Sequence, residues 1–152
     1  MSSSHRPICL LALASAALVS GALGCTKAAA QSTFPELDPK GAKEESWMME
    51  DLGKTDVLNF GSARVSLGKS CLKGTTLDCE ALRVLKAGAA VEVKKALLDG
   101  RMSAGMRVCQ ALKNPLVNGK GPGGNEDAFC KFKDGSLVSA GALETYALKI
   151  VP

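Results

Sequence analysis

The chain has 152 residues, 46% hydrophobic, 22% charged and 4% aromatic, with six cysteines, one histidine and a formal net charge of +4. That length allows one domain and excludes two ordinary ones, and scarce aromatics beside many cysteines point to a small core helped by crosslinks. The lone histidine, His5, lies almost at the N-terminus, so chemistry that needs imidazole has no candidate further along the chain.

His5 and Arg6 form a short basic region, and Ile8 to Leu23 follow as an uncharged run of Leu, Ala, Ser and Val. Its length suits a signal peptide over residues 1–24 and falls short of the ~20 apolar residues of a spanning helix. Gly21-Ala22-Leu23-Gly24-Cys25 resembles the lipobox of bacterial lipoproteins, in which the cysteine is lipidated after cleavage. Ala28-Ala29-Ala30 offers a rival cut before Gln31 by the ordinary secretory rule. The resemblance implies a lipid anchor at Cys25 and, by the sorting of such lipoproteins in Gram-negative cells, the outer membrane, since Thr26 rather than Asp follows it; the alternative is a soluble secreted or periplasmic product.

Residues 25–55 read as the lipidated cysteine and a flexible tether, rich in Ala, Lys, Glu, Pro and Ser, with Pro35 and Pro39 as breakers. Within it, Glu44 to Leu52 suggests a short amphipathic helix docking Trp47, Met48 and Leu52 on the domain. The domain proper then covers 56–152. Val57 to Phe60 and Ala63 to Leu67 are β-prone runs around Gly61. A turn-rich loop between Cys71 and Cys79 precedes a helix carrying Leu82, Leu85 and Ala89, with Thr75 or Asp78 as its cap. Val91 to Leu98 mixes strand and helix signals, and Met102 to Leu112 suggests a second helix. Leu116-Val117 and Ala128 to Lys133 suggest strands, and Asp134-Gly135 is a hairpin turn signal before Ser136 to Ser139. Ala142 to Lys149 closes as a short helix or an edge strand. These elements together predict an α+β fold: a small disulfide-stabilised domain with short helices and a C-terminal β-hairpin.

Cys71, Cys79, Cys109 and Cys130 remain in the domain, and an even number in an exported chain reads as two disulfides, for which three pairings exist. The preferred pairing is Cys71–Cys79, closing the local loop, with Cys109–Cys130, tying the second helix to a strand. Loop entropy makes these worth on the order of 2.5 and 3.5 kcal/mol. No C-x-x-C pair supports zinc or thiol–disulfide exchange. Gly119-Lys120-Gly121-Pro122-Gly123-Gly124 lacks the Gly-Lys-Ser/Thr ending of a phosphate loop and reads as a connection, as does Glu126-Asp127 as a solvated turn. The basic residues are scattered without aromatic platforms, which argues against nucleic acid. No cofactor, metal or catalytic residue is expected, and the protein is read as not an enzyme.

Cys109, a glycine-bearing loop and then Phe129-Cys130-Lys131-Phe132-Lys133-Asp134-Gly135-Ser136 resemble the small bacterial domain of unknown function DUF333, which carries a hemolysin label. The resemblance covers roughly Ser103 to Leu143 and rests on the C-x-F-x-D-G-S part. Members are commonly lipoproteins or periplasmic proteins, so the resemblance implies an envelope-associated protein with a non-catalytic binding or structural role. Its label implies the alternative of a secreted membrane-perturbing protein. Lys133 stands where many members have Pro, and Leu137-Val138 where many have a further cysteine, so the second family disulfide has no counterpart here. In physical terms Cys130 crosslinks, Phe132 packs, and Asp134, Gly135 and Ser136 form the turn. The expected partners are the membrane, through the N-terminal lipid, and a protein or envelope ligand of unidentified kind.

Overall fold

Regular alternation of buried and exposed residues begins at Lys43, well inside the stretch that composition assigns to a tether. The computed structural model describes residues 33–152. The expected signal peptide, Cys25 and the first part of the expected tether fall outside the described residues.

Ten strands and three short helices follow in chain order: β1 Lys43–Met49, β2 Gly53–Phe60, β3 Val65–Gly68, β4 Leu72–Lys73, β5 Thr76–Leu77, α1 Glu80–Lys86, β6 Val91–Lys94, α2 Ala104–Ala111, β7 Leu116–Lys120, β8 Glu126–Lys131, β9 Leu137–Ser139, α3 Ala140–Tyr146 and β10 Leu148–Val151. Six strands close into an antiparallel barrel in the order β1-β2-β3-β9-β8-β7. The fold is therefore mostly β, which corrects the expected α+β class; its C-terminal hairpin survives as β8–β9, but inside the barrel. The closure was hidden because it joins residues far apart in sequence, Met49 to Gly119 and Leu67 to Val138.

The tether and helix expected up to residue 55 are also corrected. Glu44 to Leu52 is β1 and the turn into β2, because alternate residues Trp47 and Met49 are buried at 4% and 1% exposure while Met48 points outward. Ahead of β1, Phe34, Leu37 and Ala42 pack against the core, with Phe34 edge-on to Tyr146 at 5.0 Å between ring centroids. Val91 to Leu98 resolves its mixed signals by splitting into β6 and a single 3-10 turn, Lys95–Leu97. The C-terminus likewise holds both alternatives, α3 and then β10, which pairs in parallel with β6.

Strand alternation divides the apolar residues into two cores. Trp47, Met49, Val57, Val117, Phe129 and Leu137 share one face by register and fill the barrel. Trp47 and Phe129 meet edge to face at 5.1 Å. Their neighbours in sequence, Leu58, Cys130 and Val138, point the other way, into a larger core with α1, α2 and α3. Helix α2 starts at Ser103, whose Oγ accepts from the Met106 N–H, and lies so close to α3 that a Cβ on Gly105 would stand 1.8 Å from the Ala140 carbonyl oxygen.

Candidate functional site

Both disulfides are present in the preferred pairing. Cys71–Cys79 closes around the β4–β5 hairpin, and Cys109–Cys130 joins α2 to β8 with Cα atoms 5.6 Å apart. Phe132 is buried in the helix-side core beside Cys130.

Asp134, Gly135 and Ser136 do more than turn the chain. Cys79 occupies the N-cap position of α1 without a side-chain bond to the helix, so neither Thr75 nor Asp78 caps it as expected. The acceptors come from the distant turn instead. Asp134 Oδ2 accepts from the Glu80 N–H at 2.7 Å, and Ser136 Oγ accepts from the Ala81 N–H at 3.2 Å. Asp134 Oδ1 also accepts from the Ser136 N–H at 2.9 Å and from its hydroxyl at 2.5 Å. Gly135 takes φ 81°, where a side chain is disfavoured.

Burial pushes the Asp134 carboxyl up, but the bonds from the Ser136 hydroxyl, the Glu80 N–H and the Ser136 N–H, together with the Arg83 charge, outweigh it and hold the carboxyl below its ordinary range. An acid lowered on folding stabilises the folded state above its unfolded value and loses that contribution as pH falls through its folded value. Asp134→Asn should flatten the acid limb of stability against pH. Ser136→Ala, which removes a hydroxyl only 1% exposed, should cost about 1–2 kcal/mol in urea denaturation. An unchanged midpoint for Ser136→Ala would show that the cap contributes nothing.

A cleft in the barrel wall lies elsewhere. Strands β1 and β7 pair only at Met48↔Lys120 and Met49↔Gly119. Beyond these pairs the Glu50 N–H donates to the Asn118 carbonyl, and Asn118 Nδ2 donates to Glu50 Oε2, both at 2.9 Å. At this seam opens a cleft of about 800 Å³, lined from β1, the start of β2, β7, β8 and, across it, Met106 of α2. This volume is in the range of small-molecule sites. Gly119 forms part of the floor, where a Cβ would come within 2.5 Å of Met49 Sδ and 3.2 Å of the Trp47 ring.

Three methionines, Met48, Met49 and Met106, contribute thioether surface, and Met48 remains 59% exposed. Glu50, Glu126, Asp127 and Lys120 are the charged lining, with Lys120 directly opposite Glu126 in the ladder. Asp127 is an exposed residue, yet the surrounding walls strip water from its carboxyl and raise it above the ordinary range, against the opposing bond from the Ala128 N–H. The stability tied to this group is therefore greatest at low pH and is lost as pH rises through its folded value. Glu126-Asp127 belongs to β8, which corrects its reading as part of a solvated turn.

Of the cleft residues, the sequence read Gly119-Lys120 as part of a connection, Glu126-Asp127 as a solvated turn and Met48 as docking on the domain, and none of them as a site. The structure separates Met48 from Trp47, which docks inward, and places Met48 in the cleft. A pair of adjacent methionines before a turn was the available signal. Among the described residues no group of three His, Cys, Asp or Glu side chains is placed to hold a metal ion. Comparison with protein-family models, with curated proteins and with solved structures gave no match to this chain.

Proposed function

We propose that the chain is an exported, lipid-anchored protein of the bacterial outer envelope whose domain has a non-catalytic binding role. The observation that carries this reading is the pair of disulfides, since such crosslinks form and persist in oxidising, extracytoplasmic compartments. The basic and apolar leader ending at Cys25, and the DUF333-like stretch around Cys130, support the same location. The seam cleft supports binding, because it is walled by strands of a closed barrel rather than by free loops. Attachment in this reading is by lipid; no helix of the described residues is long and apolar enough to cross a membrane.

Membrane fractionation of the full chain in a Gram-negative host, with and without globomycin, tests the anchor. The expected product is membrane-bound, with acylated Cys25 and two disulfides by mass spectrometry without reductant, and Cys25→Ala should abolish the acylation. A soluble product beginning at Gln31 would overturn the anchor, and free thiols at Cys71, Cys79, Cys109 and Cys130 would overturn the oxidising location.

A further inference from the structure

We propose that the cleft at the β1–β7 seam binds a cationic amphiphile, a small molecule carrying an amine on an apolar body. The inference rests on reading the domain as a binding module and adds the chemistry of what it takes.

The apolar half of the ligand is specified by the walls. Met48 at the cleft's edge keeps a large apolar side chain in water, and Met106 faces it from a different element. Thioether chains are unbranched and polarisable, so they adapt to apolar bodies of differing shape. Gly119 lets Met49 and the Trp47 ring pack directly against the backbone that lines the cleft, because any side chain there would collide with Met49.

The charged half is specified by an imbalance. Glu50, Glu126 and Asp127 line the cleft against the single cation Lys120, and none of the four forms an ion pair among the described residues. An entering amine gains carboxylate partners that the fold itself leaves without a cation. Asp127 is the strongest candidate among them: Glu50 already accepts from Asn118 Nδ2, whereas among the described residues the Asp127 carboxyl accepts only from the Ala128 N–H and is partly desolvated, so it gains from a counter-charge. An anionic ligand of the same shape meets the opposite field.

Trp47 supplies the readout. It is the chain's one tryptophan, and its ring lies against Gly119 and Gly121 directly beneath the cleft. The probe is dansylcadaverine, a primary amine on a naphthalene body, and the control is dansylglycine, which carries a carboxylate on the same body. The full chain in non-ionic detergent should show saturable energy transfer from Trp47 to dansylcadaverine and far weaker transfer to dansylglycine, with the difference shrinking in salt. Asp127→Asn should weaken the amine about tenfold. Lys120→Ala should strengthen it. The unfolding midpoint of Asp127→Asn should be no lower than that of the parent, since the change removes a poorly hydrated charge and leaves an acceptor for the Ala128 N–H.

Equal transfer to both probes, no saturable transfer, or an Asp127→Asn variant that is folded and binds as the parent does would each overturn the proposal. Its failure is separable from failure of the functional reading. An anchored chain that ignores the amine loses only the ligand class, and a soluble chain that binds it loses only the anchor.

Discussion

Gly105→Ala is expected to destabilise the domain by about 2–4 kcal/mol, a large share of the stability of a domain this size. The added methyl would sit 1.8 Å from the Ala140 oxygen and 2.5 Å from its carbonyl carbon. Both are backbone atoms at the first residue of α3, so no side-chain rotation relieves the overlap and the two helices must move apart. Gly105 also donates its N–H to Glu144 Oε2 at 3.4 Å, and separation would lengthen that bond. The matched control is Gly141→Ala in α3, where a Cβ meets nothing within 4 Å. That variant should be stabilised by about 0.5–1 kcal/mol through helix propensity. Thermal unfolding of the pair measures the contrast; Gly105→Ala melting with the parent would mean that α2 and α3 are not held at this distance.

Loss of the Cys109–Cys130 crosslink is the second large effect. The double variant Cys109→Ala and Cys130→Ala should lose about 3–5 kcal/mol, and the corresponding Cys71 and Cys79 variant about 2–3 kcal/mol. Sequence separations of 21 and 8 set this order through loop entropy. Position adds to it, because Cys109 belongs to the helix layer and Cys130 to barrel strand β8, whereas the shorter bridge only encloses a hairpin. All four sulfurs lie in the helix-side core, so alanine leaves small apolar cavities rather than stranded hydroxyls. Urea denaturation of both double variants decides the order, and an equal or greater loss from the Cys71–Cys79 pair would refute it.

The parts of this fold that were readable from sequence are those fixed within a few residues. Asp134-Gly135 marked its turn, the cysteine spacing favoured the observed pairing, and the Met102 to Leu112 pattern located α2 to within two residues at its start. Strand β1 was misread because its first four residues, Lys43, Glu44, Glu45 and Ser46, are polar enough to resemble a tether, while its inward apolar information sits in Trp47 and Met49 alone. The barrel escaped notice for a related reason. Strand β9 has three residues, all buried on both faces, and carries no alternation to read. The cleft was the least legible feature, since its lining is assembled by pairings between residues 48–50 and 118–120 that no local pattern encodes.

The remote capping of α1 has a further consequence for how the chain matures. A seven-residue helix is too short to persist by itself in water. The acceptors for its first two amides lie 54 and 55 residues later, in a turn synthesised after almost the whole domain. Until Ser136 has emerged, α1 has no completed first turn. Synthesis of the final hairpin is thus the event that commits the earlier half of the chain, and a nascent chain truncated before residue 134 should expose Leu82 and Leu85 to whatever chaperone or protease meets it first.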